Sequence, residues 1–551
     1  MISRRYGKFI MLILLIVFSL SIISCSEYSS SIADAGNSGE DAADETVAVN
    51  LDIPAWERYA DEPITLDWYI NYSWFVTGWG ENLVSKTITD ETGVAVNFIT
   101  PMGNEEEKLN TLIASGELPD LITLGWWEPQ VNNLISGDMV YALNELADEY
   151  DPYFYDVANG TVVDWYTARD GNIYQYPCSS YVPEDVMNGR VASNQTFLVR
   201  KDIYEAIGSP DMTTIEGFSE AVKKAKEMFP TVEGGDLIPI GAHVFDDMGC
   251  VSFDKYLMNF LAVPNEMDGV FYDRYTDPEY LTWLKAFRQL HEEGYLDNCI
   301  FVDTRTQMSE KIADGRYFCM IYQRTDLADQ QKILYANNPE SIYIAIDGPK
   351  NQAGDPHTLP TNSTNGWTVT LISKKCQNPE RAIGLMDYLL SEHGQMMVSL
   401  GVEGEMYDVI DGNYVIRPEV LEVLNTDREK YNALYGGDDS YWMLQDNAMQ
   451  QKWMPKVEEP LLQMEEWTYP YTKYMGQYEI QMKEDSQVGV AYDKINKLWS
   501  NTLPKLLISE SDEEFDQILK DFVDKRSKLG YDLVLKEETR QMNESKKRLG
   551  M

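Results

Sequence analysis

The 551-residue chain offers little that could make or break bonds. It contains no G-x-x-x-x-G-K-(S/T) phosphate loop, no G-x-G-x-x-G, no G-x-S-x-G elbow and no H-E-x-x-H. Its four histidines, His243, His291, His357 and His393, never fall at metal-ligand spacing. Neighbouring acids are common (Asp246-Asp247, Glu292-Glu293, Glu465-Glu466), but in a chain with 90 acids such a pair selects nothing. A glycosidase needs two carboxylates about 5–10 Å apart across a cleft, and no pair stands out for that role. What the chain has in quantity is aromatic surface, with 35 Tyr and 13 Trp. Trp74, Trp126, Trp127, Tyr176 and Trp367 all fall beside predicted strand ends or at points where the chain is expected to cross between lobes. Flat rings with a few fixed hydrogen-bonding groups suit a ligand with an apolar face and a polar rim, which is the make-up of a pyranose ring. Core packing accounts for any single one of these rings about as well. As a set, at least three are expected to line a cleft, Trp126 and Trp367 foremost.

These rings are set out by an alternation of strands and helices. Ile64 to Tyr69 alternates as a strand, and the aromatic loop Asn71-Tyr72-Ser73-Trp74-Phe75 follows it. Leu83 to Thr92 reads as a helix, Val94 to Ile99 as a strand, and Leu109, Leu112 and Ile113 mark a second helix from Glu105. Leu121-Ile122 then opens a strand that ends beside Trp126 and Trp127. Such alternation implies parallel βαβ units, and open α/β sheets bind ligands at the carboxyl ends of their strands. Thr196 to Asp202 is a strand and turn, Thr213-Thr214 caps a helix through Phe229, and Leu281 to Glu292 is amphipathic. Tyr317 to Tyr322 and Tyr343 to Pro349 supply further strands. Val369 and Leu371 then make a strand that stops at Ser373, and Asn378-Pro379-Glu380 opens a helix as N-cap, N1 proline and first-turn acid. Ala382, Ile383, Leu385, Met386, Leu389 and Leu390 recur at helical spacing, so one face is expected to pack on a core. Ser391-Glu392 caps a short helix that ends at Gly401. The chain closes with helices around Tyr492–Trp499 and Phe515–Ser527 and a polar tail.

Several segments carry a family pattern in order. They are Ala114-Ser115-Gly116-Glu117-Leu118-Pro119-Asp120-Leu121-Ile122, Asp170-Gly171-Asn172-Ile173-Tyr174-Gln175-Tyr176-Pro177, Arg200-Lys201-Asp202, Asn378-Pro379-Glu380, Asp387-Tyr388-Leu389 and Gly401-Val402-Glu403-Gly404-Glu405-Met406-Tyr407. The series resembles the extracellular solute-binding proteins of ABC importers, in particular the family 1, carbohydrate-type, LplA-like bacterial lipoproteins. It covers most of the chain in scattered blocks. The resemblance implies an α/β, two-lobed periplasmic-binding-protein-like (type II) fold with a ligand cleft between the lobes. Residues 61–177 with 366–400 would form the N-terminal lobe, and 178–365 with 401–551 the C-terminal lobe, with crossings near Tyr176-Pro177, Gly366 and Gly401. It also implies a monomeric binder rather than an enzyme. Such a binder captures a sugar or oligosaccharide and delivers it to ABC transporter permease subunits, without a cofactor. Matching positions add Arg200, Glu403 and Tyr407 as polar contacts to the ligand. Where relatives carry a calcium loop, residues 231–239 offer only Glu233 and Asp236. Calcium takes six to eight oxygens, so no metal site is expected. Two other readings stay open: a secreted carbohydrate-active enzyme, and a surface sensor or adhesin on the same fold. A small polar solute other than a sugar also stays open.

At the N-terminus, Arg4, Arg5 and Lys8 precede the apolar run Phe9 to Phe18, and Ile22-Ile23-Ser24-Cys25 matches a bacterial lipobox. The run is short for a membrane span of about 20 residues. Residues 1–24 are therefore expected to be a cleaved lipoprotein signal peptide that leaves a lipidated, diacylated Cys25. Residues 25–60 would be a disordered tether, rich in Ser, Ala, Gly, Asp and Glu, holding the protein at the extracellular face of the cell membrane. The formal net charge of -45 argues against a nucleic-acid partner. The six cysteines form no C-x-x-C, so neither zinc spacing nor a disulfide framework is expected.

Overall fold

The computed structural model describes residues 50–188, 191–246, 249–454, 457–483 and 486–551. The expected signal peptide and Cys25 lie outside the described residues. The strands that position the site are β1 (Ile64–Ile70), β2 (Val94–Ile99), β3 (Leu121–Gly125), β4 (Tyr176–Pro177), β5 (Gln195–Arg200), β6 (Ile238–Gly241), β7 (Tyr317–Gln323), β8 (Tyr343–Ala345) and β9 (Thr368–Ile372). The first sheet has the order β2-β1-β3-β9-β4 and the second β8-β5-β7-β6. β1 runs parallel to both β2 and β3, with helices α1 (Leu83–Thr92) and α2 (Glu105–Ser115) as the crossovers. These are the βαβ units expected from the alternation. The Asn82 side chain caps α1 by accepting from the Ser85 amide, and Gly93 ends it at φ 70°. β3 and β9 are buried at every position, because one core lies on each face of the sheet. Trp68, Ile70 and Leu121 point into one core, while Tyr69, Leu124 and Val369 point into the other.

Helix α3 (Pro379–Leu390) follows β9. The expected single packed face is an underestimate, since every residue from Arg381 to Leu390 is buried. The apolar residues wrap more than one face, and Gly384 lets the backbone of the short helix Ala55–Arg58 approach closely. Asn378 occupies the N-cap position, but its side chain makes no capping bond. Arg381 instead ties this end down, donating to the Glu62 and Thr92 carbonyls. Ser391 does cap α4 (Glu392–Ser399), accepting from the Gly394 amide, and Gly401 follows at φ 92°.

Asp387 lies in the middle of α3 with neither oxygen receiving a donor, and Asp151, whose Oδ2 accepts from the Ala55 amide, is its charged neighbour. Burial first, and then the Asp151 charge, push the Asp387 carboxyl well above its usual range. The native chain therefore holds a proton that the unfolded chain has released, and stability falls as pH rises from about 4 through the raised value. Asp387→Asn supplies an amide donor to the Asp151 carboxylate and removes the titration. The variant is expected to be more stable than the parent near pH 8, with the gap closing toward about pH 4. Thermal melts of both proteins across that range check this.

The chain passes between the sheets three times, and the passing segments hydrogen-bond to one another. The Tyr181 amide donates to Ser363, the Trp367 amide to Cys178 and the Ser179 amide to Gln445. The third crossing lies beyond Trp453 and not at Gly401, since Asp446 and Gln450 still bond to Gln395 and Trp453 packs on Leu400. Accordingly, the assignment of all of 401–551 to the second lobe does not hold for 402–454. Met406, Val420, Leu424, Tyr431, Tyr441 and Trp442 pack into the core of the first sheet. The two short helices Pro418–Thr426 and Arg428–Leu434 and the loop after them carry most of these residues, and their local pattern gives no sign of which core they join. At the end of the chain α5 (Gln487–Ser500), α6 (Asp512–Leu529) and α7 (Tyr531–Arg548) pack beside the second lobe. The expected polar tail is the helix α7, which buries only Val534 and Met542.

Candidate functional site

β1 ends at Ile70, β3 at Gly125, and the antiparallel β9 begins at Thr368, opposite Gly125. The register therefore brings Asn71–Phe75, Trp126–Glu128 and Asn365–Trp367 out along one edge of the first sheet. Four rings meet there. Trp74 lies nearly parallel to Trp367, at 5.9 Å between centroids and 11° between planes, and Tyr72 stacks on Trp367 at 5.5 Å and 29°. Trp442 completes the group at 4.6 Å from Trp367 and 5.7 Å from Trp74. Offset packing of this kind holds each ring by its neighbours. Trp74 nonetheless leaves 55% of its surface exposed, which makes it the open plate of the stack. The Tyr72 hydroxyl and Trp442 Nε1 are buried and find no hydrogen-bond partner among the described residues.

Polar groups fix this edge from below. Glu128 accepts from the Gly125 amide at 2.8 Å and from Asn71 Nδ2 at 2.5 Å, while the Tyr69 hydroxyl donates to Asn71 Oδ1 at 2.8 Å. Burial pushes the Glu128 carboxyl up to about 7. Where the chain re-enters the first lobe, Asn365 donates to Glu479 at 2.6 Å, and its Oδ1 accepts from Trp165 Nε1 at 2.7 Å. Ser363 donates to the same Glu479 carboxyl, which burial pushes up to about 7. Gly366 follows at φ 70°, turning the chain so that Trp367 faces the edge.

The second sheet also turns its strand ends toward the crossings, since β5 begins just after the first of them and Gln323 pairs with Gln195. At that end the His243 ring lies 4.3 Å from Tyr322, and burial holds the imidazole neutral, down to about 3. Arg324 donates to the Ser193 carbonyl at 2.9 Å and to Glu465 at 3.0 Å. Arg305 pairs with Asp326 at 2.7 Å.

The structure sorts the sequence-predicted residues. Trp74 and Trp367 come together in the stack. Trp126 and Trp127 lie on the same edge, edge-to-face with each other at 6.0 Å, but neither ring touches the stack. The Trp126 carbonyl accepts from Gln481 Nε2, and Trp127 is 47% exposed. Tyr176 is a core residue: it is buried, its hydroxyl accepts from the Asn159 amide, and its ring meets Phe154 edge-on. Arg200 is committed elsewhere, because its guanidinium holds both Asp202 oxygens at 3.0 Å and the Gly315 carbonyl. Three of its five N–H donors are engaged and the side chain is buried, which holds the guanidinium as a structural pair with Asp202. Tyr407 packs in a small cluster with Leu400 and Trp453, and the exposed Glu403 precedes it, both away from the stacked rings. Sequence reasoning passed over Tyr72, although it stands in the aromatic loop, and Glu128, two residues past Trp126. Trp442 and Glu479 come from irregular segments and carry no local signal.

Two sheets that turn their ligand-type edges toward shared crossings, with an aromatic stack at one edge, define a two-lobed solute-binding fold. The chain belongs to the bacterial extracellular solute-binding proteins, whose family profile matches residues 80–396. It is similar to lipoprotein LipO of Bacillus subtilis (strain 168), at 22% identity over 336 residues covering 59% of this chain and 64% of LipO. The chain thus spans less than two thirds of that relative. Among solved structures, the alginate-binding protein AlgQ2 without calcium ion matches with TM-score 0.66 and 19% identity, over 88% of this chain and 98% of that one. FusA of S. pneumoniae in complex with kestose matches with TM-score 0.66 and 16% identity, over 87% and 99% of the two chains. At these identities the likeness is one of fold.

Proposed function

We propose that this protein captures a sugar or oligosaccharide between its two lobes and hands it to the permease of an ABC transporter. The observation that carries the reading is the Tyr72–Trp74–Trp367–Trp442 stack at the carboxyl edge of the first sheet. A partly exposed indole braced by three other rings offers a flat face to the C–H side of a pyranose. Nearby amide, carboxyl and hydroxyl groups offer partners to its rim. Ligand bound at the crossings favours the state with the lobes together, which is the form a permease can recognise. The relatives support this reading, since one binds alginate by its name and one was solved with kestose. The lipobox at Cys25 supports anchoring on the outer face of the membrane. The wholly buried Asp387 and the committed Arg200 give no support to an enzyme built on them.

The test is a thermal-shift screen of the mature chain against mono- and oligosaccharides. A ligand that binds only the folded state adds RT ln(1 + [L]/Kd), about 2.7 kcal/mol at a hundredfold excess over Kd. A clear shift with the glycan recovered intact is the expected result. Cleavage products would move the assignment to an enzyme, and no shift with any glycan would overturn the carbohydrate reading.

A further inference from the structure

The stack does not fill its edge of the sheet. Beyond Trp74, on the side away from the crossings, an open cavity of about 840 Å³ lies over the ends of β1 and β2. Its floor is aromatic and rigid: Phe75 meets Phe98 at 5.0 Å, Trp79 meets Phe98 at 5.9 Å, and Trp79 rests on Tyr441 at 4.9 Å. Asn97 and Thr100 add polar groups among these rings. Its rim carries Val76 and Met102, 80% and 96% exposed, apolar side chains that nothing in the described chain covers. Exposed apolar surface beside an aromatic plate and above an aromatic floor marks a place where a ligand completes the burial.

We propose that the carbohydrate site continues past Trp74 into this cavity, so that the ligand is an oligosaccharide of three or more rings lying along the edge of the first sheet. The proposal rests on the carbohydrate reading above and adds length and direction to it. From β9, which carries Trp367, through β3 and β1 to β2, which leads to Met102, there are three strand steps. At about 4.8 Å each they span about 14 Å. A linear glycan advances roughly one strand step per ring, so a disaccharide seated on the stack leaves the outer cavity uncovered. The cavity volume lies toward the upper end of the roughly 300–1,000 Å³ range of small-molecule sites, room for more than one further ring.

Gly78 provides the test. It lines the cavity, its φ is outside the left-handed region, and a Cβ placed on it meets nothing within 4 Å. Gly78→Phe therefore fills the cavity without displacing the stack. Calorimetric titrations would use the mature protein and this variant with malto-, xylo-, fructo- and galacturono-oligosaccharides of increasing length, from one ring upward. In the series that binds, affinity is expected to rise at least tenfold between two and four rings. Gly78→Phe should abolish that rise and leave the two-ring affinity unchanged. Met102→Ala, which alters only an exposed rim, should reduce the four-ring affinity severalfold even if the larger change disturbs folding. A two-ring ligand bound as tightly as longer ones, or a length dependence that survives both variants, overturns the proposal while the carbohydrate reading stands. Failure of every series to bind overturns both.

Discussion

Trp367→Ala is expected to weaken ligand capture by at least about thirtyfold and to leave a folded protein. Trp367 is the ring on which the platform turns, because it contacts Tyr72, Trp74 and Trp442 at once. Its removal takes away one plate and also frees Trp74 from the ring that holds it parallel. Buried aromatic anchors at binding sites carry about 2–4 kcal/mol each when truncated, which is thirtyfold to nearly a thousandfold in Kd. Trp367 is half-buried, so the fold loses about 2–3 kcal/mol, less than a fully buried tryptophan would cost. Trp367→Phe keeps a flat ring in place and should recover most of the affinity. Titration calorimetry with the glycan found in the thermal screen reads the loss, and a circular dichroism melt shows that the variant is folded. Equal affinity in parent and Trp367→Ala would remove the stack from the site.

Gly366→Ala is expected to cost about 2–5 kcal/mol of stability and to lower affinity as well. The residue sits at φ 70°, and a Cβ there would lie 2.3 Å from the Cys178 carbonyl oxygen and 2.9 Å from Pro177 Cβ. Left-handed backbone costs a side-chain-bearing residue roughly 1–2 kcal/mol, and overpacking against fixed backbone adds about 1–3 kcal/mol. The obstructing atom belongs to the neighbouring crossing, whose Cys178 carbonyl accepts from the Trp367 amide, so it cannot swing aside. Relief by backbone movement would drag Trp367 out of the stack. In denaturant the midpoint should fall with an unchanged slope, because the surface exposed on unfolding is the same. The two variants separate cleanly: the tryptophan change acts mainly on binding, the glycine change on both.

The parts of the fold legible in the sequence are those where local pattern and tertiary environment agree. Val94–Ile99 and Leu83–Thr92 have the observed boundaries because an apolar period, an Asn cap and a Gly terminator all coincide there. The pattern misleads for α3, where a helix buried on every side presents the same residues as one buried on a single face. It also misleads for Arg200, since an arginine next to an acid reads alike whether it waits for a ligand or is already paired. Half of the aromatic stack was within reach, because Trp74 and Trp367 flank strands that can be predicted. Trp442 was not, since its place depends on a tertiary return of the chain that no local spacing records.

That return has a consequence for how the molecule comes into being. The first lobe is assembled from separated stretches of chain, the last of which ends near Trp453, about four fifths of the way along the sequence. Until Tyr441 and Trp442 are present, Phe98, Trp79 and Trp74 each lack one of the rings that pack on them. Contacts between residues hundreds of positions apart form slowly, because the intervening loop must be closed first. A growing or threading chain therefore keeps its N-terminal half incomplete until the whole of the intervening second-lobe sequence has followed it. Both lobes then finish late and nearly together, and the aromatic stack is among the last surfaces to be sealed.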